Sequence, residues 1–305
     1  MQRLRLTRNV MIWGTTFFGK PAHVMLEPTD ESTKKHGWQL SFEGKTVPIT
    51  FEHLHLVGGE LALRVEGMTL KYVTHLLALR YLIGLDAVTV HIKGELPMCG
   101  SAQLFLDKVS DSLEECGEME PVLLPAVLVG EKNISIRITP DTRPLFVSSY
   151  VEQRGVGDKR WNFFLQNFFS ADEGKKAVHD IATARMPGQS RLFTLARGYS
   201  TLPPSKWQWP HFHEFVWQQE KTVGQFLEEV ARHRILDLLG ALSVITAPGT
   251  IFCGRVLASN TTSETDLSLV KRVTQIRSKL EELASEKKLQ EENQIAGHTI
   301  QTEPP

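Results

Sequence analysis

An α+β protein of two similarly built domains is predicted by three features of the sequence. At 305 residues the chain is about two domains long, taking roughly 150 residues per domain. Its first hundred residues read as alternating strands that lead into helical stretches, and the same order of elements recurs in the second half. Hydrophobic residues make up 41% and charged residues 23%, ordinary globular usage that excludes disorder or a collagen-like chain for most of the sequence.

The strands come first. Arg3-Leu4-Arg5-Leu6, Ala22-His23-Val24-Met25-Leu26, Trp38-Gln39-Leu40-Ser41-Phe42 and His53-Leu54-His55-Leu56-Val57 alternate apolar with polar side chains between Gly, Pro, Asp and Thr clusters. A period of two belongs to half-buried strands. From Thr69 to Leu85 the spacing changes, with Leu70, Val73, Leu76, Leu77, Leu79 and Leu82 recurring at three and four. That is the stripe of an amphipathic helix, which Gly84 closes. Ala87 to Ile92 is a further strand, and after Pro97 a short helix carries Leu104, Phe105, Leu106 and Val109. The first domain thus spans residues 1–118, and Glu114 to Glu120 reads by composition as a linker.

The second domain spans residues 119–265. Strands are expected over 133–138 and 145–151, and a helix from Thr222 to Ile245 on Val223, Phe226, Leu227, Val230, Ile235, Leu238, Leu239 and Leu242. The halves share no visible sequence similarity, so only the order of elements speaks for a duplication. Residues 266–295 form an amphipathic C-terminal helix dense in charge, a candidate contact surface for a protein partner. Residues 296–305 read as a disordered tail.

Several classes of function fall away. The 34 Lys+Arg against 35 Asp+Glu leave a net charge of -1, which gives no global attraction to nucleic acid and leaves peripheral membrane contact to a local patch. No stretch approaches the roughly 20 apolar residues of a spanning helix. The N-terminus lacks the apolar core of a secretory signal, which places the chain in the cytoplasm. Cys99, Cys116 and Cys253 are widely spaced and make neither a disulfide framework nor a thiolate metal site. Gly-rich phosphate loops, Gly-x-Ser-x-Gly elbows and His-Glu-x-x-His are absent from the sequence.

The chemistry-bearing pattern is Ala231-Arg232-His233-Arg234-Ile235-Leu236-Asp237. On a helix, residues four apart share a face, so His233 and Asp237 project together as two ligands of one zinc ion would. An ordinary hydrogen-bonded pair on a solvated helix has the same spacing. His75, among Val73, Leu76 and Leu77, is the candidate third ligand or else a satisfied core histidine. The pairs His53/His55 and His211/His213 lack a nearby third ligand and read as sheet and loop residues.

Longer motifs carry a resemblance. Tyr72-Val73-Thr74-His75-Leu76-Leu77-Ala78-Leu79, followed by Gly84-Leu85-Asp86 and Glu95-Leu96-Pro97-Met98-Cys99-Gly100-Ser101-Ala102, resembles T-x-E-H-L-x-x-A-L, G-(I/L)-D-N and E-x-P-x-x-D-G-S-A of the UDP-3-O-acyl-N-acetylglucosamine deacetylases. Ala184-Arg185-Met186-Pro187-Gly188 resembles their A-R-T-F-G, and Arg232 to Gly240 their R-H-K-x-L-D-x-x-G. The resemblance implies two α+β domains with a cleft between them, and zinc held by His75, His233 and Asp237. It implies hydrolysis of the acetamide of an acylated UDP-N-acetylglucosamine in lipid A synthesis, with Arg234 in a substrate-binding position suited to phosphate.

The departures fall on catalysis. The family's base is Thr74 here, its oxyanion-stabilising Thr is Met186, and the Asp that orients its acid is Ala241. Its general-acid His should fall within Ser259 to Thr265, where no histidine stands, and the Asp of D-G-S-A is Cys99. Three readings follow. The chain is a catalytically impaired homologue that binds zinc or the acylated UDP-sugar; or an active zinc amidohydrolase using relocated groups such as Glu95, Glu264, Asp180 or His179; or a metal-free interaction protein.

Overall fold

The computed structural model describes residues 1–16, 20–29, 37–97, 100–153, 157–165, 172–184 and 228–299. The first half holds β1 (Gln2–Leu6), β2 (Val10–Thr15), β3 (Pro21–Pro28), β4 (Gln39–Phe42) and β5 (Lys45–Pro48), then β6 (Leu54–Val57), β7 (Glu60–Val65) and β8 (Met68–Lys71). Two short helices, α1 (Val73–Leu77) and α2 (Leu79–Ile83), lead to β9 (Val88–Ile92) and α3 (Gln103–Val109). There follow β10 (Leu113–Glu118), β11 (Glu120–Leu123), β12 (Val127–Glu131), β13 (Ile134–Pro144), β14 (Phe146–Gln153) and β15 (Gly157–Phe164). The chain continues through α4 (Asp172–Ala182), α5 (Glu229–Ser243), β16 (Thr250–Ser259) and α6 (Ser263–Thr299).

The two large sheets repeat one topology. In the first, the order is β2-β3-β9-β4-β5, and in the second β12-β13-β16-β14-β15, with β11 added alongside β16. Each sheet places the last strand of its half in the centre, antiparallel to one hairpin and parallel to the first strand of the other. The α+β class and the two similarly built halves expected from the sequence are therefore what the pairing shows. Between the halves β1 pairs antiparallel with β10.

Alternation explains the sheets and burial explains the central helix. On β3, Ala22, Val24 and Leu26 are buried while their neighbours are half-exposed, the period of a one-faced strand. α5 buries Val230, Ile235, Leu236, Leu238, Leu239 and Leu242 almost all round, which marks a helix enclosed by other elements. It packs on β14 and β15 and against α1, α2, α4 and α6. At Gly240 it meets α1 so closely that a Cβ would lie 2.1 Å from the carbonyl oxygen of Thr74. Gly84 ends α2 with φ 79°, where a Cβ would come 2.3 Å from the Gln2 carbonyl.

Some expectations are corrected. The helix over Thr69 to Leu85 begins later, because Thr69 and Leu70 pair with Arg64 and Leu63 of β7 and Tyr72 turns the chain at φ 58°. It is also split between α1 and α2. The linker at Glu114 to Glu120 is β10 and the start of β11. β10 runs beside β1, and Glu114 pairs with Arg5 at 2.5 Å. His53 stands in a 3-10 turn and caps Thr50 instead of sharing a strand face with His55. α6 starts at Ser263 and runs to Thr299, into the stretch expected as a tail. Residues 300–305, and 222–227 of the expected second-domain helix, lie outside the described residues.

Candidate metal centre

α1 and α5 bring the three expected ligands together. His75 projects from α1, His233 and Asp237 from one face of α5, and their donor atoms all lie within 4.8 Å of one another. His75 Nε2 stands 3.5 Å from Asp237 Oδ1, and His233 Nε2 stands 3.4 Å from Asp237 Oδ2. The imidazoles meet edge to face with centroids 5.0 Å apart. Tetrahedral donors at zinc distances of about 2.0–2.1 Å sit about 3.3 Å from one another, which the two His–Asp separations approach, each on a different oxygen of Asp237.

The surrounding hydrogen bonds prepare these donors. His233 Nδ1 donates to the carbonyl of Ala184 at 2.9 Å. A carbonyl only accepts, so the proton sits on Nδ1 and Nε2 keeps its lone pair, the arrangement common behind metal-bound histidines. Thr74 Oγ1 donates to Asp237 Oδ1 at 3.2 Å, and Arg234 Nη1 donates to Asp237 Oδ2 at 2.7 Å. Burial opposes the charge of Asp237, but the imidazole of His233, the hydrogen bond from His75 and the Arg234 guanidinium hold its carboxyl well below the usual range. Burial drives His233 the other way, down to about 4, against the pull of Asp237. A neutral imidazole beside an ionised carboxylate is the protonation state a divalent cation requires.

Arg234 is less available than its motif implies. Its Nη1 holds Asp237, its Nη2 pairs with Asp266 at 2.5 Å, and its Nε donates to Thr261 Oγ1 at 3.4 Å. Its side chain is 12% exposed and that of Asp266 is 0% exposed. A phosphate would have to displace one of these partners. Burial pushes the Asp266 carboxyl up to about 6 even though Arg234 pulls it down.

These shifts have a pH consequence for the metal-free protein. The folded-state value of His233 lies below its usual 6.5, so the unfolded chain binds the extra proton and stability falls as pH drops from 6.5 towards about 4. Asp266 is raised above 3.8, so between 3.8 and about 6 the folded state holds the extra proton and acid stabilises. Thermal unfolding at pH 7 and pH 5 should therefore show a smaller acid loss in wild type than in Asp266→Asn. His233→Gln should lose its acid sensitivity at this site.

The catalytic positions are filled by other chemistry. Thr74 is buried and its hydroxyl is spent on Asp237. Ala241 is fully buried in the core. Where the resemblance calls for an acid histidine, Thr261 accepts from Arg234 and Ser263 Oγ donates to Glu60 Oε2 at 3.3 Å. Met186, Cys99, His211 and His213 lie outside the described residues. Of the relocated candidates, Glu264 and His179 are exposed, Asp180 lies 3.9 Å from Arg232, and Glu95 is exposed with its charge felt at Tyr72. Glu60 on β7 was not singled out by the sequence. Burial first, then the charge of Asp237, push its carboxyl up, while Arg234 and His75 act against that. No motif marks it, because it reaches the site across the β6-β7-β8 sheet.

Two α+β halves with a repeated sheet topology and a buried His-His-Asp group between them make a scaffold with a candidate metal-binding group. The sequence model of the UDP-3-O-acyl N-acetylglycosamine deacetylase family (LpxC) matches residues 4–275, and the chain belongs to that family. It is 23% identical over 270 residues to the UDP-3-O-acyl-N-acetylglucosamine deacetylase of Chlamydia muridarum (strain MoPn / Nigg), covering 84% of this chain and 88% of that protein. To the enzyme of the same name in Thermosynechococcus vestitus it is 25% identical over 241 residues, covering 75% and 80%. At such identities the chain is a divergent homologue of the lipid A deacetylases. No helix of the described residues is long and apolar enough to cross a membrane.

Proposed function

We propose that the protein holds zinc through His75, His233 and Asp237 and binds an acylated UDP-N-acetylglucosamine, with amide hydrolysis strongly attenuated. The observation that carries this reading is the hydrogen bond from Thr74 to Asp237. The ligand set is intact, while the residue in the position of the family's base is a hydroxyl donor. Zinc in such a site polarises the amide carbonyl. The chain's own residues do the rest: Ala184 fixes the His233 tautomer, and Thr74 and Arg234 hold the two oxygens of Asp237. A threonine hydroxyl takes no proton near neutral pH, and no carboxylate at Ala241 orients an acid.

Metal analysis and a deacetylation assay test the reading together. Purified protein should carry one zinc per chain, and His233→Ala should lose it. Zinc-loaded wild type should turn over acylated UDP-N-acetylglucosamine at or below about one part in 10³ of a complete site, the usual penalty for a missing acid or base. A metal-free wild type overturns the proposal.

One observation favours the active reading as the second choice. Glu60 is a half-buried carboxylate beside Ser263 whose charge reaches both His75 and Asp237, so it could hold the proton that Thr74 cannot. Under that reading turnover falls in the ordinary range of about 1–10³ s⁻¹, and Glu60→Gln removes most of it with zinc content unchanged.

A further inference from the structure

Asp266 lies one step behind the metal group, in the first turn of α6. It is fully buried, and its Oδ2 accepts from Arg234 Nη2 at 2.5 Å. Its Oδ1 is buried without a hydrogen-bond partner, so among the described residues Arg234 is the side chain that compensates Asp266. Asp237 is better supplied. Besides Arg234 it has the hydroxyl of Thr74 and both imidazoles at hand. The two carboxylates therefore compete unequally for the guanidinium. Releasing Arg234 would strand Asp266 as an unpaired buried charge, which costs far more than loosening one of several contacts at Asp237.

Charge decides what this arrangement does to a cation. With its Nη1 2.7 Å from Asp237 Oδ2, Arg234 occupies one oxygen of the ligand and repels a metal ion at the same time. In a group this buried, solvent screens such charges little. Asp237 and Asp266 together outweigh Arg234 and leave one negative charge to meet a cation. Without the charge of Asp266, Asp237 and Arg234 form a neutral pair, and the guanidinium is left to Asp237. Glu60 adds its charge to Arg234 from β7, and Thr261 accepts from the Arg234 Nε at 3.4 Å without adding any.

We infer that Asp266 is a positioning residue of the metal group: acting through Arg234, it restrains the guanidinium and offsets its charge, so that Asp237 can take a divalent cation. The outer partners of metal ligands set affinity in this way, by holding the ligand and tuning the charge around it. The inference rests on the zinc reading above and adds to it a residue that lies outside the matched motifs.

The test is zinc affinity of the full-length chain, read by competition with a chelator at pH 7.5, where the Asp266 carboxyl, pushed up to about 6 by burial, is ionised. Wild type is compared with Asp266→Asn and with the paired variant Arg234→Gln/Asp266→Asn. Asp266→Asn keeps the shape of the side chain and removes its charge, and affinity should fall about tenfold to a hundredfold. The paired variant removes both charges, returns the group to the net charge of wild type and should recover most of that loss. A residue that merely shaped the start of α6 would give no such recovery. If Asp266→Asn does not fold, the paired variant, which strands no buried charge, carries the test alone, with affinity near that of wild type expected and a loss of about tenfold or more overturning the inference. Unchanged affinity in Asp266→Asn, or a paired variant as weak as the single one, overturns the inference and leaves the zinc reading standing. A wild type that takes up no zinc overturns both.

Discussion

Gly240→Ala should destabilise the protein and take the metal group apart. The new Cβ would stand 2.1 Å from the oxygen of Thr74 and 2.6 Å from its carbonyl carbon and Cα. All three are backbone atoms of α1, so no side chain can rotate away, and α1 and α5 have to separate. Alanine is worth about 1 kcal/mol over glycine in a helix interior, but overpacking of a close backbone contact costs about 3 kcal/mol, so the net effect is loss. His75 travels with α1, while His233 and Asp237 stay on α5, so the 3.5 Å approach of His75 to Asp237 opens. Zinc affinity should fall by about 100-fold, the upper end of what disturbing the supports of a metal ligand costs. Denaturant unfolding and competition with a chelator check the two effects. Unchanged stability together with unchanged affinity would mean that the helices are not this close.

The same contact shows what was legible in the sequence. His233 and Asp237 were readable as a pair because helical spacing alone puts them on one face. His75 was readable only through the motif around it, since nothing in spacing links residues of two halves. Gly240 was the last residue of a matched motif, yet its purpose appears only where α5 crosses Thr74. The strands with clean alternation were recognised. Leu113–Glu118 is not legible in that way, because its glutamates look like a linker until Arg5 is set beside Glu114. The repeated sheet topology was legible as an order of elements but not as sequence similarity, since pairing constrains burial and direction more than residue identity. Arg234 misled by analogy: a guanidinium suits phosphate, but here Asp237, Asp266 and Thr261 already occupy it. Glu60 belongs to a third strand unit and carries no local signal at all.

Thr74→Glu separates decay of a catalytic site from its conversion to binding. Glutamate is well tolerated in helices, and it restores a proton acceptor next to His75. It also removes the hydroxyl that donates to Asp237 and sets a second carboxylate beside the first. In the metal-free protein the two carboxylates repel, so stability should drop and partly return on adding zinc, whose charge offsets both. With zinc bound, hydrolysis of acylated UDP-N-acetylglucosamine should rise about tenfold to a hundredfold. It should stop there, because Ala241 and the hydroxyls of Thr261 and Ser263 still supply no acid. Ser263→His on that background puts an imidazole where α6 begins, against Glu60, which can orient it, and should add a further gain of about 10² or more. Single-turnover rates, measured with zinc content and ligand affinity on the same preparations, resolve the outcome. If both substitutions leave zinc and sugar-nucleotide binding intact and the double variant still hydrolyses nothing, then Thr74 is not a lost base in an otherwise catalytic pocket. The hydrogen bond it makes to Asp237 is in that case part of a site shaped to hold its ligand.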